Sequence, residues 1–377
     1  MRHLCSAVFA SNLTRVSPAH PSAVASAAEL MASFAKRGQR YLWTDAFAVC
    51  NFLALATATG ETAWRAQALV LVDQVHHVLG RHRPDDSRTG WLSGLSDREG
   101  EAHPTRGGLR IGKPLPERAP AEPFDERLEW DRDGQYFHYL TQWMHALDQV
   151  AKATGKGRYS DWARELAQVS HAAFTQGAPP RMVWKKSIDL RRALVSSMGQ
   201  HDPLDGYVAC VELDATAREL GVSSQAPILA RARADFAAML AGAELATGDP
   251  LGLGVLLVDA CRLARLAGTG DAQTDALVGR LVRAAAEGLS AWTVSGEERL
   301  PATHRLGFRE LGLAIGLAAV PRSPRLESLS RYAALGEALT SFWHEPAQRA
   351  NRSWTEHRDI NEVMLATALL PDGYLGS

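Results

Sequence analysis

The feature that most constrains the fold is a repeated pattern of paired helices. Each copy has an apolar helix rich in small residues, a tight turn with Gly or Pro, and an amphipathic second helix. The clearest copies are LALATATGETAWRAQALVLV from Leu53, LDQVAKATGKGRYSDWARELAQV from Leu147 and CRLARLAGTGDAQTDALVGRLV from Cys261. Gly ends a helix cheaply in a left-handed conformation, while Thr, Ser or Asp caps the next helix. Such repetition predicts a fold built from stacked helical hairpins.

The pattern predicts about twelve helices of two alternating types. They are expected near residues 21–37, 45–59, 62–80, 134–154, 159–175, 204–220, 226–244, 251–267, 272–291, 304–319, 326–343 and 358–370. The helices that begin near 45, 134, 205, 251, 304 and 358 are apolar nearly all round, as expected of helices buried on both sides. The others carry charges on one face and are expected to form an outer ring. Strand patterns are almost absent, so the predicted class is all-α.

This alternation, with turns such as ATATG and AKATG, resembles the six-hairpin glycosidase-like superfamily. The resemblance extends from Pro21 to Pro371 and implies an (α/α)6 toroid. It fits a poorly ordered tail at 1–20 followed by a single domain at 21–377. Members of this superfamily include glycoside hydrolases, unsaturated glucuronyl hydrolases, polysaccharide lyases and N-acylglucosamine 2-epimerases, so the fold leaves the reaction open. His357 after Trp354 is similar to the last inner helix of the epimerase group, although the spacing differs.

The connections between helices indicate where the site lies. Inner-to-outer turns are short, whereas outer-to-inner connections include 81–133, 176–203, 293–303 and 344–357. A connection of about 50 residues is rare in a compact domain unless it is a lid or a binding loop. Because all inner helices run in the same direction, the long loops fall on one face. We predict the site at this mouth, at the N-terminal ends of the inner helices, with 81–133 as its lid.

Composition excludes several classes of partner. Lys and Arg number 41 against 42 Asp and Glu, so no bulk charge attracts nucleic acid or an anionic membrane. No apolar run approaches the roughly 20 residues that cross a bilayer. Four dispersed cysteines match no disulfide or metal spacing, which favours a reducing, cytoplasmic location. We expect a small-molecule substrate, no cofactor and no metal, because His76, His77 and His82 lack carboxylates at matching spacing. The oligomeric state stays open.

Candidate site residues begin the first two inner helices. Trp43 and Asp45 open the first, where a Trp face stacks on sugar rings and a carboxylate binds hydroxyl groups or transfers a proton. Asp45 fits a helix cap equally well. The second helix begins with a dense group of acids, bases and hydrogen-bond donors: Asp131, Asp133, Gln135, Tyr136 and His138. Here too a cap at Asp133 and a structurally satisfied His138 remain an alternative.

The third candidate cluster precedes the next inner helix. His201 lies beside Asp202 and Asp205, and neighbouring carboxylates raise and orient an imidazole. The sequence Asp202-Pro203 equally fits a helix start. Trp184, which begins a basic run upstream, is a candidate for substrate binding.

Further candidates lie late in the chain and in the lid. His304 and His357 are candidates for proton transfer, and Trp354 for stacking. Arg305 and Arg309 are one turn apart on an apolar helix, so they bind an anion or brace the ring through Glu310 or Asp359. In the lid, Arg110 and Lys113 are expected to point toward the mouth.

Three functions follow from these patterns. The leading one is a glycoside hydrolase-like enzyme that acts on a polyhydroxylated, neutral or acidic substrate. Its general acid and base would be paired carboxylates drawn from Asp45, Asp131, Asp133, Asp202 and Asp205. The second is an epimerase, isomerase or dehydratase in which a histidine such as His201, His304 or His357 moves a proton. The third is a non-catalytic binding or scaffold toroid.

Overall fold

The computed structural model describes residues 20–222, 226–266 and 272–376. In chain order its helices are α1 (Pro21–Phe34), α2 (Leu42–Thr59), α3 (Thr62–Leu79), α4 (Asp97–Ala102), α5 (Glu126–Glu129), α6 (Phe137–Thr154), α7 (Gly157–Phe174), α8 (Asp202–Glu219), α9 (Ala226–Leu240), α10 (Pro250–Leu266), α11 (Ala272–Ser295), α12 (Gly307–Ala319), α13 (Ala333–His344), α14 (Pro346–Arg349), α15 (Arg352–Thr355), α16 (Arg358–Leu369) and α17 (Asp372–Leu375). The all-α prediction is confirmed. The predicted tail lies outside the described residues, apart from His20.

Six helices form a closed inner ring in the order α2, α6, α8, α10, α12, α16. Each contacts the next, and α16 contacts α2. The outer helices α3, α7, α9, α11 and α13 each pack on the inner helix that precedes them in the chain. The sixth outer helix is α1, which packs on α16. This arrangement is the (α/α)6 toroid that the hairpin repeat predicts.

The turns and the burial pattern explain why these segments form hairpins. Gly60 and Gly155 have φ of +72° and +65°, and they end α2 and α6 in the left-handed conformation. The corresponding turn of the copy that begins at Cys261 lies outside the described residues. Every residue of α2 from Leu42 to Leu55 is buried. Among the described helices, α2 is the one long and apolar enough to cross a membrane, and 78% of that window is buried inside the toroid.

Two inner helices touch through their backbones. A Cβ added to Gly254 of α10 would lie 2.1 Å from the carbonyl oxygen of Gly312 in α12. A Cβ on Gly316 would lie 2.6 Å from the Cα of Gly254. Glycine is therefore required where α10 and α12 cross.

Several predicted boundaries are shifted. The second inner helix begins at Phe137 rather than near 134, because Gly134 has φ of +150° and the next two residues form a strand. The helix expected from 304 begins at Gly307, after a 3-10 turn at Ala302–His304. The helix expected over 326–343 is split into a 3-10 segment, Pro324–Tyr332, and α13.

The long loops are folded rather than extended. The predicted lid contains α4 and α5. The connection at 176–203 contributes short strands beside it. The strands are β1 (Gln135–Tyr136), β2 (Thr175–Gln176), β3 (Arg181–Met182), β4 (Lys185–Lys186) and β5 (Ala193–Val195). They form an antiparallel β1-β4-β5 sheet and a β2-β3 pair. These strands join the start of α6 to the loop before α8.

Candidate functional site

A histidine–aspartate pair bridges two neighbouring inner helices at the mouth. His138 lies in the first turn of α6 and Asp205 in the first turn of α8. His138 Nδ1 lies 2.6 Å from Asp205 Oδ2. The His138 side chain is 27% exposed and that of Asp205 is 4% exposed. The carboxylate holds one ring nitrogen, so Nε2 is the nitrogen left for exchange with a ligand.

Two opposing effects set the protonation of His138. Burial lowers the pKa of the imidazole, whereas the charge and hydrogen bond of Asp205, with a smaller effect from Asp202, raise it. The net result is a pKa above the ordinary value for histidine. The imidazolium form is therefore stabilised by the carboxylates beneath it.

Asp202 is a buried acid beside this pair. It is the first residue of α8, and its Oδ2 accepts a hydrogen bond of 2.9 Å from the backbone N–H of Gly199. Burial, assisted by the negative charge of Asp205, raises the pKa of Asp202 to about 6. The site thus combines an imidazole, an acid that titrates near neutrality and a second carboxylate that pairs with the imidazole.

A column of buried ionisable groups continues from this pair into the centre of the ring. Burial raises the pKa of Asp259 well above its ordinary value, and neighbouring Asp205 raises it further. Arg262 Nη1 lies 3.6 Å from Asp259 Oδ1, and its Nε lies 3.8 Å from Glu212 Oε1. Glu212 Oε2 in turn lies 3.3 Å from His145 Nδ1. Arg262 and Glu212 are oppositely charged neighbours in this column, whereas burial favours the neutral forms of Asp259 and His145 by raising the pKa of the first and lowering that of the second.

Tyr374 of α17 fills the centre of the ring. Its hydroxyl donates to Gln142 Oε1 at 2.6 Å, and its carbonyl oxygen lies 2.8 Å from His145 Nε2. Its ring stacks on Phe47 with centroids 4.4 Å apart, and the Arg262 guanidinium lies 5.0 Å from the ring centroid. The toroid is therefore plugged beneath the mouth.

A row of aromatic side chains lies next to His138. The hydroxyl groups of Tyr41 and Tyr139 are 2.6 Å apart. The ring of Tyr136 lies 5.1 Å from Tyr139 and 4.7 Å from Trp184, which lies 5.5 Å from Trp130. Trp130 is 54% exposed. We call these five residues the aromatic row. Tyr41, Tyr139 and Trp130 are not among the residues predicted for the site, although each lies within two positions of a predicted residue in sequence.

Two lysines contact the aromatic row. Lys113 Nζ lies 5.4 Å from the centroid of the Tyr41 ring. Burial lowers the pKa of Lys113, while Asp131 and Asp133 oppose that shift. Lys185 Nζ lies 5.2 Å from the Tyr136 ring centroid and 2.8 Å from Glu129 Oε1. The predicted residue Lys113 is thus placed at the mouth.

Other predicted lid residues tie the lid to the ring. Asp133 has no exposed surface and accepts hydrogen bonds from Arg110, Arg83 and three backbone N–H groups. Arg110 also donates to the carbonyl groups of residues 78 and 81, each at 2.7 Å. Gln135 accepts from the Leu109 N–H and donates to the carbonyl groups of residues 107 and 188. The hydrogen-bonding capacity of all three is used within the protein.

The predicted pair at the start of the first inner helix lies below the surface. Asp45 is fully buried, and its Oδ2 accepts from the Tyr41 N–H at 3.0 Å. Burial raises the pKa of Asp45 to about 7, although Arg40 lies 3.5 Å away and opposes the shift. Trp43 is 5% exposed and packs on Phe47 with centroids 4.6 Å apart.

The late cluster contains an internal network. The Arg305 guanidinium donates to both oxygens of Glu310 at 2.6 to 3.0 Å, and Trp343 Nε1 donates to the same carboxylate at 2.7 Å. Trp354 is buried and stacks on Trp343 with centroids 5.4 Å apart. Arg309 pairs with Asp249. This geometry fits the alternative in which Arg305 braces the ring through Glu310.

The remaining predicted residues lie outside the His138 cluster. His201 Nε2 lies 3.0 Å from the Leu245 carbonyl oxygen. His304 and Asp131 are exposed. His357 is also exposed, and its ring lies 5.5 Å from that of Phe308. Of the predicted residues, the structure therefore brings His138, Asp202 and Asp205 together, with Tyr136 and Trp184 on the adjoining aromatic row. Across the described ranges, no three His, Cys, Asp or Glu side chains are arranged to hold a metal ion.

Comparisons with known proteins find relatives by structure and none by sequence. No protein-family model and no curated protein match this sequence. A GH76 alpha-mannanase from Bacteroides thetaiotaomicron has a TM-score of 0.53 and 8% identity, over 94% of this chain and 97% of that chain. A cellobiose 2-epimerase from Spirochaeta thermophila has a TM-score of 0.49 and 12% identity, over 87% and 86%. Another, from Bacillus thermoamylovorans, has a TM-score of 0.46 and 9% identity, over 80% and 75%. At 8% identity, the likeness to the mannanase shows the shared toroid fold alone.

Proposed function

We propose that this toroid is a carbohydrate-active enzyme in which His138 transfers a proton at the mouth. The observation that carries the proposal is the 2.6 Å contact between a partly exposed imidazole and a buried carboxylate. A carboxylate behind a histidine fixes its orientation and stabilises the protonated ring, which is what general acid–base catalysis requires. His138 is the proposed catalytic residue, and Asp205 positions it.

The surroundings of His138 favour a polyhydroxylated substrate. The aromatic row offers ring faces on which the apolar face of a sugar packs, and Trp130 is the most exposed of the five. Lys113 supplies a donor at the same edge, and the N-terminal ends of α6 and α8 add partial positive charge. These features suit hydroxyl oxygens and tolerate an acidic sugar.

The exposure of the acid–base groups favours a histidine-based reaction. Asp202 and Asp205 are 5% and 6% exposed as residues, so the imidazole is the member of the cluster that a substrate meets first. One such group can remove a proton from the carbon beside a sugar carbonyl and return it to the neighbouring carbon, which is isomerisation. Inversion at the same carbon, which is epimerisation, requires in addition that the intermediate turn or that a second donor act on its opposite face. Epimerisation or isomerisation of a small carbohydrate is therefore the function that we propose first.

Glycoside hydrolysis is the second candidate, and Asp202 is the observation that favours it. A carboxyl group with a pKa of about 6 keeps its proton near neutrality, as a general acid for a leaving group must. Asp205, which pairs with His138, is the neighbouring carboxylate. In this reading the substrate reaches the carboxyl groups after His138 moves aside.

One experiment distinguishes the two reactions. The protein is incubated in D2O with free aldoses, ketoses and disaccharides, and proton NMR follows loss of the sugar C–H signal and appearance of new reducing ends. Exchange of a carbon-bound proton for deuterium identifies epimerisation or isomerisation, and new reducing ends identify hydrolysis. We expect His138→Ala to lower the rate of proton exchange by about 100-fold or more.

The control is His77→Ala. His77 also pairs with a carboxylate, since its Nε2 lies 2.7 Å from Glu101 Oε1, but it lies on the outer helix α3. We expect the parent rate in this variant. Equal rates in parent and His138→Ala protein would refute the assignment of His138. No turnover of any sugar by the parent would favour the scaffold interpretation.

The proposed location is the cytoplasm. Cys50, Cys210 and Cys261 are buried free thiols, which is the expected state in a reducing compartment, while Cys5 lies outside the described residues.

A further inference from the structure

A cavity lies on the face opposite the mouth. It has a volume of about 910 Å³ and is lined by the last turns of α2, α6, α8 and α10, together with residues 369–373, Leu375 and Gly376. Tyr374 and the column beneath it separate this cavity from His138. We call it the rear cavity. Its volume lies in the range of known sites for small molecules.

Several charged side chains around the rear cavity already have an oppositely charged neighbour. Lys152 Nζ lies 2.6 Å from Asp148 Oδ2. Arg262 lies between Glu212 and Asp259, and Asp372 pairs with Arg322. A charged ligand would have to compete with these pairs, and breaking a buried ion pair is costly.

The cavity still offers hydrogen-bonding groups. Arg262 is 8% exposed and lines the cavity, although its Nε and Nη2 atoms are themselves buried. Gln149 contributes an amide and Thr57 a hydroxyl group that donates to the Leu53 carbonyl oxygen and keeps its acceptor capacity. The exposed Glu219 adds acceptors at the rim. The wall therefore contains hydrogen-bond donors and acceptors as well as small apolar side chains such as that of Ala153.

We propose that the rear cavity binds an uncharged, polyhydroxylated small molecule. Hydroxyl groups both donate and accept, so they match a wall with both kinds of partner without disturbing its ion pairs. This site is distinct from the mouth and does not depend on the proposed reaction.

Alanine methyl groups allow a direct test on the full chain. Ala58, Ala153 and Ala215 line the rear cavity. We would label alanine methyl groups with 13C and titrate the protein with mannose and cellobiose. We expect saturable shifts at these three methyl signals. Glucosamine and glucuronate, which carry a charge on a similar ring, should shift them less.

Variants identify the site of binding. Ala153 is exposed at the cavity wall, so Ala153→Trp fills the cavity without burying the new ring in the core. It should abolish the shifts at Ala58 and Ala215, whereas Ala66→Trp, on the exposed surface of α3, should preserve them. His138→Ala should also preserve them, whether or not the mouth binds sugar.

Three results would overturn the proposal. They are the absence of shifts with both neutral sugars, shifts that persist in Ala153→Trp, and stronger binding of either charged analogue. Loss of the shifts in His138→Ala would instead place the neutral ligand at the mouth.

Discussion

At the residue scale, burial determines the chemistry of the mouth. Asp202, Asp205 and His138 lie within one cluster, and burial raises the pKa of Asp202 to about 6. The Asp205 carboxylate raises the pKa of His138 against the effect of burial. Groups that titrate near neutrality in a partly exposed cluster are typical of acid–base catalysis, and this pattern motivates the proposed function.

Asp45 provides a test of the effect of burial on a carboxyl group outside the His138 cluster. Its pKa is raised to about 7, so the native protein holds the Asp45 proton more tightly than the unfolded chain does. Stability from this group is present at low pH and falls as pH rises from about 4 to about 7. Asp45→Asn removes the ionisation and keeps an acceptor for the Tyr41 N–H. At pH 8 we expect the free energy of unfolding of the variant to exceed that of the parent by up to about 4 kcal/mol. At pH 3 we expect the two free energies to be equal.

Urea unfolding across pH 3 to 8 measures this difference. The comparison at low pH serves as the control, because Asp45 is then protonated in both states of the parent. A variant that is less stable than the parent at pH 8 would contradict the account, since it would show that the pair with Arg40 outweighs burial.

The sequence predicts the residue types of the site better than their roles. The clusters around His138 and Asp202 are recognisable because polar residues concentrate where inner helices begin. Their pairing is not predictable, because His138 and Asp205 are 67 positions apart and meet only because α6 and α8 pack side by side in the ring. Arg110, Asp133 and Gln135 are polar residue types that are equally common in functional sites. In the structure, however, they form hydrogen bonds with lid side chains and with backbone groups.

At the element scale, the toroid depends on how closely inner helices approach. Gly254, Gly312 and Gly316 allow backbone contact between α10 and α12. In an exposed helix glycine costs stability relative to alanine, whereas at this crossing its missing side chain is what allows the contact. The two effects have opposite signs and are separable by matched substitutions.

Gly254→Ala and Gly279→Ala form that matched pair. Both positions lie within helices, but a Cβ at Gly279 has Arg283 Nη1 at 3.6 Å as its nearest neighbour, whereas at Gly254 it meets a carbonyl oxygen at 2.1 Å. We expect Gly254→Ala to destabilise the protein by about 1–3 kcal/mol or more. Gly279→Ala should stabilise it by about 0.5–1 kcal/mol. Thermal unfolding measures both, and a stabilising Gly254→Ala would show that the helices are free to separate.

Helices are predictable from the sequence where apolar periodicity and turn glycines agree, as in the hairpins at Gly60 and Gly155. The starts of α6 and α12 differ from the predicted ones because the residues before them form a strand and a 3-10 turn, respectively, instead of the first turn of the helix. The folding of the lid depends on contacts such as Gln135 to Gly107, which local sequence does not encode.

At the scale of the whole molecule, the toroid has two faces with different chemistry. The mouth carries the long loops, the aromatic row and His138. The opposite face carries the rear cavity, and the column through Asp259, Arg262 and Glu212 lies between them. The sequence predicts the ring and the face that bears the loops. It does not predict the insertion of Tyr374, because a tyrosine in a short terminal helix has no periodic signal.

The most direct test of the central claim is an NMR titration of the His138 ring in the parent and in Asp205→Asn, with and without a sugar substrate. The account predicts a His138 pKa above the ordinary value of about 6.5 in the parent, and a lower one in Asp205→Asn, where only the weaker effect of Asp202 still opposes burial. It also predicts that the sugar perturbs the His138 ring signals in the parent. An ordinary pKa that Asp205→Asn leaves unchanged, with ring signals insensitive to every sugar tested, would contradict the claim that this pair is the acid–base group of the site.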